Sequence, residues 1–148
     1  MKHIVEHLGL IGIIPVVVID DKEHAEPLAR ALVCGGVPCA EVTLRTSSAA
    51  AAIQKMATAH PNMVIGAGTV QAVDQVKTAV DAGAQFIVSP GVNRRVVEYC
   101  LQKSIPVIPG VATPTDIETA LEYGVTVLKY FPAEQCGGID FLQAVCAP

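Results

Sequence analysis

The sequence has few charged side chains and no excess of basic ones. Charged residues make up 16% of its 148 residues, and the formal net charge is −4. A chain without a basic surface lacks the electrostatic footprint of nucleic-acid binding, so we expect no nucleic-acid partner. Hydrophobic residues make up 51%, which is enough to build a core and argues against a disordered chain.

Cysteines are few, and they follow neither a disulfide nor a metal-binding pattern. No CxxC motif occurs among the five, which are Cys34, Cys39, Cys100, Cys136 and Cys146. An odd number without regular spacing favours free thiols in a reducing cytosol over a disulfide framework. We therefore expect a cytoplasmic protein.

Motifs that bind cofactors or metals are also missing. The sequence contains no Walker loop, no dinucleotide-binding glycine fingerprint and no HExxH. His3 and His7 have the i, i+4 spacing that could hold a metal on a helix, but no third ligand accompanies them. Because zinc sites use three or four protein ligands, we predict neither a metal nor a cofactor.

The one long apolar run, Leu8–Ile19, is too short to cross a membrane. It could imitate a signal peptide, but Pro15 interrupts it, the acidic residues Asp20 and Asp21 follow it, and no small-residue cleavage site appears. We interpret its second half as a buried strand and expect no membrane association.

A regular alternation of strand and helix patterns fills the chain, and no Gly/Ser-rich linker divides it. Six short runs rich in Val and Ile are typical of buried parallel strands: Ile13–Ile19, Cys39–Leu44, Met63–Thr69, Phe86–Pro90, Pro106–Val111 and Val127–Pro132. Their starts lie 20 to 26 residues apart, the length of one strand, one loop and one helix. We therefore expect residues 1–148 to form one domain.

Helical patterns occupy the gaps between these runs. Apolar residues recur at helical spacing from Ala25, Val73, Val96 and Ile117. Thr113 followed by Pro114 is a typical helix start. Glycines just before a strand, at Gly35-Gly36, Gly83 and Gly124, predict left-handed helix ends.

Repeated βα units predict a parallel sheet, either open and doubly wound or closed into a barrel. Glu41, Thr43 and Arg45 share one face of the second strand. An open sheet covered by helices on both faces would bury these polar groups, whereas a barrel can direct them inward near its mouth. We therefore predict a TIM (β/α)8 barrel, with about six of its eight units present.

Lys129 is the first candidate for chemistry, because it shares a strand face with Val125, Val127 and Phe131. A lysine among apolar neighbours is costly as a cation, and burial favours the neutral amine, which is the nucleophilic form. The alternative is a structural lysine that is salt-bridged or reaches solvent at a strand end.

Glu41 and Arg45 are candidates for a proton shuttle and a carboxylate clamp. The guanidinium fork of arginine matches a carboxylate in bidentate fashion. The alternative is a structural ion pair, for example with a lysine across the barrel.

Gly66-Ala67-Gly68-Thr69 ends the third strand, and the two glycines could let a ligand approach the backbone. Thr69 could then offer its hydroxyl and its amide. The alternative is a tight strand-to-helix turn with Thr69 as a helix cap, and both can be true together. We interpret Ser89-Pro90-Gly91 and Pro109-Gly110 as turns at strand ends.

Five segments together resemble one family, the bacterial 2-keto-3-deoxy-6-phosphogluconate (KDPG) and 2-keto-4-hydroxyglutarate (KHG) aldolases. They occur in order at Glu41–Thr46, Gly66–Val70, Ala82–Phe86 with Ser89–Gly91, Ile108–Gly110 and Lys129–Glu134. The resemblance extends from about Pro15 to the end of the chain. Each segment alone is weak evidence, but five in register are strong.

The resemblance implies a metal-free (β/α)8 barrel, a homotrimer and a place in the Entner–Doudoroff pathway. It implies that Lys129 forms an imine with the keto acid and that Glu41 moves protons. It also implies that Arg45 and Thr69 bind the substrate carboxylate. Pro90 and Phe131 would form apolar walls of the substrate pocket. Tyr130 should face the helices.

One departure from the family pattern is serious. The last two strands of the family barrel supply the substrate-phosphate site, and this sequence stops at Pro148, in or just after the sixth helix. We expect six strands in barrel curvature, an open gap between the first and sixth, and a chain incomplete against a barrel of roughly 200 residues.

The predicted function is cleavage of KDPG or KHG to pyruvate and an aldehyde, glyceraldehyde 3-phosphate or glyoxylate. Three alternatives stay open at this point. They are an aldolase for the galactonate isomer, a truncated and inert barrel fragment, and a sugar-phosphate isomerase barrel that would not need Lys129 as a nucleophile.

Overall fold

Six parallel strands and seven α-helices alternate along the chain in the computed structural model, which describes residues 2–146. The strands are β1 (Val16–Val17), β2 (Cys39–Thr43), β3 (Val64–Gly68), β4 (Phe86–Ser89), β5 (Val107–Val111) and β6 (Lys129–Tyr130). The helices are α1 (Lys2–Ile11), α2 (Ala25–Cys34), α3 (Ala49–Ala59), α4 (Val73–Asp81), α5 (Arg94–Gln102), α6 (Pro114–Glu122) and α7 (Gly138–Val145).

The sheet is curled, and its strands follow one another in chain order from β1 to β6. In a flat sheet, strands spaced by about 4.8 Å would place β2 and β6 about 19 Å apart. Lys129 Nζ on β6 nevertheless lies 3.1 Å from Glu41 Oε1 on β2. Two side chains cannot bridge that flat distance, so the six strands must curve into part of a barrel. The predicted barrel architecture with about six βα units is confirmed.

Two apolar clusters lie on opposite faces of the curled sheet. The outer cluster packs strand residues such as Val42 and Ile87 against helix residues such as Ile53 and Val97. The inner cluster joins Cys39, Val64, Phe86, Val88 and Ile108 to Leu8 of α1. Helix α1 therefore covers the amino-terminal end of the barrel interior and leaves the opposite end for polar groups.

The two edge strands are shorter and more exposed than the sequence predicted. The apolar runs at Ile13–Ile19 and Val127–Pro132 contain only two strand residues each. The expectation of a buried first strand is wrong, since Val16 is 54% exposed. Each edge strand has a hydrogen-bonding neighbour on one side only, and Val16 pairs with Glu41, so it faces the open interior.

The predicted helices are present as α2, α4, α5 and α6. The Thr113 hydroxyl accepts a hydrogen bond from Asp116 N and caps α6 as expected. Gly36, Gly83 and Gly124 have positive φ values and end their helices as expected. Within residues 2–146, no helix is long and apolar enough to span a bilayer.

Candidate active site

All six candidate residues lie within a strand or within two residues after a strand end. Glu41 is inside β2 and Lys129 begins β6. The other four follow a strand end: Arg45 after β2, Thr69 after β3, Pro90 after β4 and Phe131 after β6. The carboxyl end of a βα barrel is where active sites of this architecture form.

Lys129 and Glu41 form a close pair across the barrel interior. Lys129 Nζ donates to both carboxylate oxygens, at 3.1 Å to Oε1 and 3.3 Å to Oε2. The Glu41 side chain is only 5% exposed, and that of Lys129 is 26% exposed. Burying two charges costs free energy that close pairing must offset. The amine remains partly open to solvent, so a small molecule can reach it.

The Glu41 carboxylate lies against Gly68 of the neighbouring strand. A Cβ atom added to Gly68 would be 2.7 Å from Glu41 Cδ. Gly66 faces the ring of Phe86 in the same close manner. The interpretation that both glycines admit a ligand is therefore wrong on this face, because the chain's own side chains fill the space.

Arg45 and Thr69 come together at the rim of the barrel. Arg45 Nε donates to Thr69 Oγ1 at 3.2 Å. Within residues 2–146, Arg45 forms no ion pair with a carboxylate, so its guanidinium keeps donors for an anionic ligand. A pair between Arg45 and Glu41 does not occur, because Glu41 is held by Lys129.

Thr69 has an unusual backbone conformation, with φ of 58°. A β-branched residue in this left-handed region is a genuine outlier, and such strain concentrates at functional sites. Thr69 does not cap the following helix, since α4 begins after Ala72. The capping alternative for Thr69 is therefore wrong.

Phe131 lies beside the lysine, whereas Pro90 lies beside the strand neighbour of Lys129, Gly110. Lys129 Nζ lies 5.2 Å from the centre of the Phe131 ring. The Pro90 carbonyl lies against Gly110, which is the register partner of Lys129 on β5. Pro90 also lines a cleft of about 330 Å³ after β3 and β4, whose lining does not include Lys129.

Two turn predictions have different outcomes. The Ser89 hydroxyl donates to the Gly91 carbonyl at 2.8 Å, as a turn after β4 requires. Pro109 and Gly110 are not a turn, because both lie inside β5. Gly110 is needed there since a Cβ atom would collide with the Pro90 backbone.

Tyr130 faces the helices as expected and stacks on Phe141 of α7, with ring centres 5.2 Å apart.

The buried thiols do not compete with Lys129 as nucleophiles. Cys39 lies two residues before Glu41, donates to the Ile13 carbonyl at 3.1 Å, and has a pKa that burial raises. Burial raises the pKa of Cys100 to about 11. Thiols with raised pKa stay protonated and unreactive near neutral pH. Residues 2–146 contain no group of three or more His, Cys, Asp or Glu placed to hold a metal ion.

Comparison with protein families matches residues 4–148 to the family described as KDPG and KHG aldolase. The chain belongs to this aldolase family. The 2-dehydro-3-deoxy-phosphogluconate aldolase of Treponema pallidum is 50% identical over 148 residues, which cover all of this chain and 70% of that relative. The family resemblance inferred from the five segments is confirmed, and with it membership of the class I aldolases.

Solved structures of the family show the same fold. The KDPG aldolase of Zymomonas mobilis ZM4, solved with 3-phosphoglycerate, has a TM-score of 0.93 and 38% identity over 99% of this chain. The KDPG aldolase of Legionella pneumophila has a TM-score of 0.86 and 43% identity over 89% of this chain. That structure captured pyruvate as a covalent carbinolamine intermediate. The chain spans 70% and 64% of the lengths of these two proteins.

The sequence singled out Gly68 as a place for a ligand but not as the neighbour of Glu41, and it assigned Phe86 no role in the site. Gly68 borders Glu41, and Phe86 fills the space above Gly66. A glycine at every second position of β3 was the available signal, because it marks a face where something lies close to the backbone. Only the register of β2, β3 and β4 shows that the close neighbours are the side chains of Glu41 and Phe86.

Proposed function

We propose that this chain cleaves a 2-keto-4-hydroxy acid, first of all KDPG, to pyruvate and an aldehyde through an imine on Lys129. The observation that carries the proposal is the Lys129 amine, held 3.1 Å from Glu41 and beside Phe131 at the open end of the barrel. The carbinolamine captured in the Legionella relative supports the same covalent chemistry.

The close pair prepares both the nucleophile and the acid. A proton passed from Nζ to the Glu41 carboxylate leaves a neutral amine next to a carboxylic acid. The amine attacks the C2 carbonyl of the substrate and forms a carbinolamine. Glu41 then returns a proton to the C2 hydroxyl, which leaves as water and gives the iminium.

The iminium accepts the electron pair of the bond that breaks. The Glu41 carboxylate removes the proton of the C4 hydroxyl, and the C3–C4 bond cleaves. The aldehyde departs, and the electron pair remains on the pyruvyl group as an enamine. Protonation of C3 and addition of water to the resulting iminium release pyruvate and restore Lys129.

The remaining candidates position the substrate. Arg45 and Thr69 bind the carboxylate, so that C2 meets the amine in reacting geometry. Pro90 and Phe131 form apolar walls that limit water around the iminium. With KDPG the aldehyde is glyceraldehyde 3-phosphate, and with KHG it is glyoxylate.

The proposal extends to the setting of the enzyme, which is supported by family membership, by the pattern of cysteines and by the regular spacing of the strands. We propose a cytoplasmic homotrimer that acts in the Entner–Doudoroff pathway, with residues 1–148 as one barrel domain. The galactonate isomer remains the second substrate candidate. Direct comparison of cleavage rates for the two sugar acids separates these candidates.

Reductive trapping tests the imine. The chain is incubated with pyruvate, reduced with borohydride, digested and mapped by mass spectrometry. We expect one adduct, on Lys129, and none in a Lys129→Arg variant. A Lys103→Arg variant, which changes a lysine in another part of the fold, should keep the adduct. A structural lysine, an inert fragment or an isomerase would leave Lys129 unmodified, and that result would refute the proposal.

A further inference from the structure

We propose that Gly68 is a positioning residue for the aldolase reaction, because its missing side chain leaves the space in which Glu41 reaches Lys129. The inference rests on the proposed function and adds a residue that touches neither substrate nor lysine. Gly68 acts through Glu41, and its role follows from the packing of β2 against β3.

Strand register shows how Glu41 comes to lie over Gly68. The backbone of Glu41 pairs with Gly66, and Thr43 pairs with Gly68. The Glu41 side chain therefore leans by two residues toward the carboxyl end of β3. In that position its carboxylate reaches Lys129, four strands away along the curled sheet.

An alanine at position 68 could not coexist with this arrangement. Its Cβ would lie 2.7 Å from both Cγ and Cδ of Glu41 and even closer to Oε1. Real Cβ contacts essentially never fall below 3.0 Å. Because the Glu41 side chain is the flexible partner, it must move, and a displacement of about 1 Å removes a hydrogen bond of ordinary length.

Backbone conformation is not the reason for glycine here. Gly68 is not among the glycines with positive φ in residues 2–146, so alanine fits the backbone of β3. The requirement for glycine comes from the space that Glu41 occupies. Gly68→Ala should accordingly damage catalysis more than folding.

Gly66 provides a matched control on the same strand and the same face. A Cβ at Gly66 would collide with the ring of Phe86, a fully buried residue of the inner cluster. Gly66→Ala therefore strains the core through Phe86, since the three atoms nearest to the added Cβ all belong to the Phe86 ring. It should lower stability while the pair of Glu41 and Lys129 survives.

The experiment measures the rate constant of imine formation at saturating pyruvate, the half-saturating pyruvate concentration and the unfolding midpoint. We expect Gly68→Ala to slow imine formation by about 10²-fold, the scale of a 1 Å misplacement, with little change in half-saturation. Gly66→Ala should lower the unfolding midpoint and leave the rate constant within a few-fold of the parent.

A second background tests whether Gly68 acts through Glu41. In a Glu41→Ala chain there is no carboxylate to displace, so adding Gly68→Ala should slow imine formation no further. The double variant should also fold if Gly68→Ala alone does not. Equal and independent losses in both backgrounds, or unfolding of both variants, would overturn the inference.

The outcome is separable from that of the proposed function. A parent chain that forms no Lys129 adduct refutes the proposed function. A parent that reacts normally, with Gly68→Ala equally fast, refutes only the role of Gly68. A crystal structure of Gly68→Ala decides the geometry independently of activity, since an unmoved pair of Glu41 and Lys129 would contradict the proposal.

Discussion

Lys129 and Glu41 are separated by 88 positions in the chain and form one hydrogen-bonded pair in the fold. Pairing makes burial of both groups tolerable, and it also gives each a partner for proton transfer. A structural ion pair and a catalytic pair share this geometry. The difference between them lies in what happens when one partner is replaced by a neutral isostere.

Glu41→Gln keeps the shape of the side chain and removes the acid. We expect turnover to fall by about 10²–10⁴-fold, the usual contribution of general acid–base catalysis. Pyruvate binding should change much less, because the proposed mechanism assigns the carboxylate to Arg45 and Thr69. Steady-state kinetics with KDPG checks this, and turnover within a few-fold of the parent would identify Glu41 as structural.

Arg45 should act on affinity instead. Arg45→Ala removes the guanidinium that Thr69 orients at the rim, so the apparent KM for the keto acid should rise by about 10-fold or more, as expected for loss of a charge-assisted pair. Arg45→Lys keeps the charge but loses the bidentate fork, and it should restore only part of the affinity. An effect confined to kcat would contradict the clamp role.

At the scale of single elements, α6 shows how local sequence fixes a helix start. Asp116 accepts hydrogen bonds from Ala112 N at 3.1 Å and from Thr113 N at 3.0 Å, and the Thr113 hydroxyl donates to it at 2.8 Å. The hydrogen bonds from the Ala112 backbone and the Thr113 side chain lower the pKa of Asp116 below its ordinary value of 3.8. This cap fixes where the loop after β5 ends and α6 begins. Helix α6 is the last helix before Lys129 in the chain.

Asp116→Asn should therefore destabilise the chain by about 1 kcal/mol at neutral pH, the usual worth of a helix cap. The folded-state pKa is lowered, so the stabilisation is fully present above the ordinary value and is lost as pH falls through the lowered one. Urea unfolding of parent and variant should differ at pH 7, and the difference should shrink as the pH falls below 3.8, the ordinary pKa of this carboxyl. Glu118→Gln, an exposed change on the same helix, is the control and should show neither effect.

Four helices could be predicted from their apolar stripes, but α3 could not. Its sequence, AAAAIQKMATA, has four consecutive alanines and no clear stripe, although Ala49, Ala52, Ile53 and Met56 are all buried. Alanine is small enough to lie on either face, so its burial depends on which strands the helix covers. The strand positions were predictable because each apolar run is bounded by turn residues.

At the scale of the fold, the curled sheet formed by residues 2–146 has two edges that no strand of this range pairs, β1 and β6. Apolar side chains are exposed near both, including Ile13 at 65%, Val18 at 52% and Val127 at 41%. Unpaired apolar strand edges are prone to association with other chains. We therefore expect the open side of the barrel to promote self-association of this chain.

We predict that the chain self-associates into large species as its concentration rises. An Ile13→Lys/Val18→Lys variant should reduce this association, because lysines beside the edge strand β1 oppose its pairing with other chains. Sedimentation velocity over a range of concentrations measures the effect. Val80→Lys, a change on α4 far from both edges, should leave association unchanged, and equal suppression by this control would refute the edge as the cause.

Local sequence was enough to predict the order of the six strands and of four helices, the cap of α6 and the helix-ending glycines, because these depend on neighbours within a few residues. It also determined the family, since five short segments recur in register. Tertiary structure alone decided that Lys129 meets Glu41, that Arg45 meets Thr69, and that Gly66 and Gly68 make room for Phe86 and Glu41. These contacts depend on sheet curvature and strand register, which bring together side chains that no local pattern links.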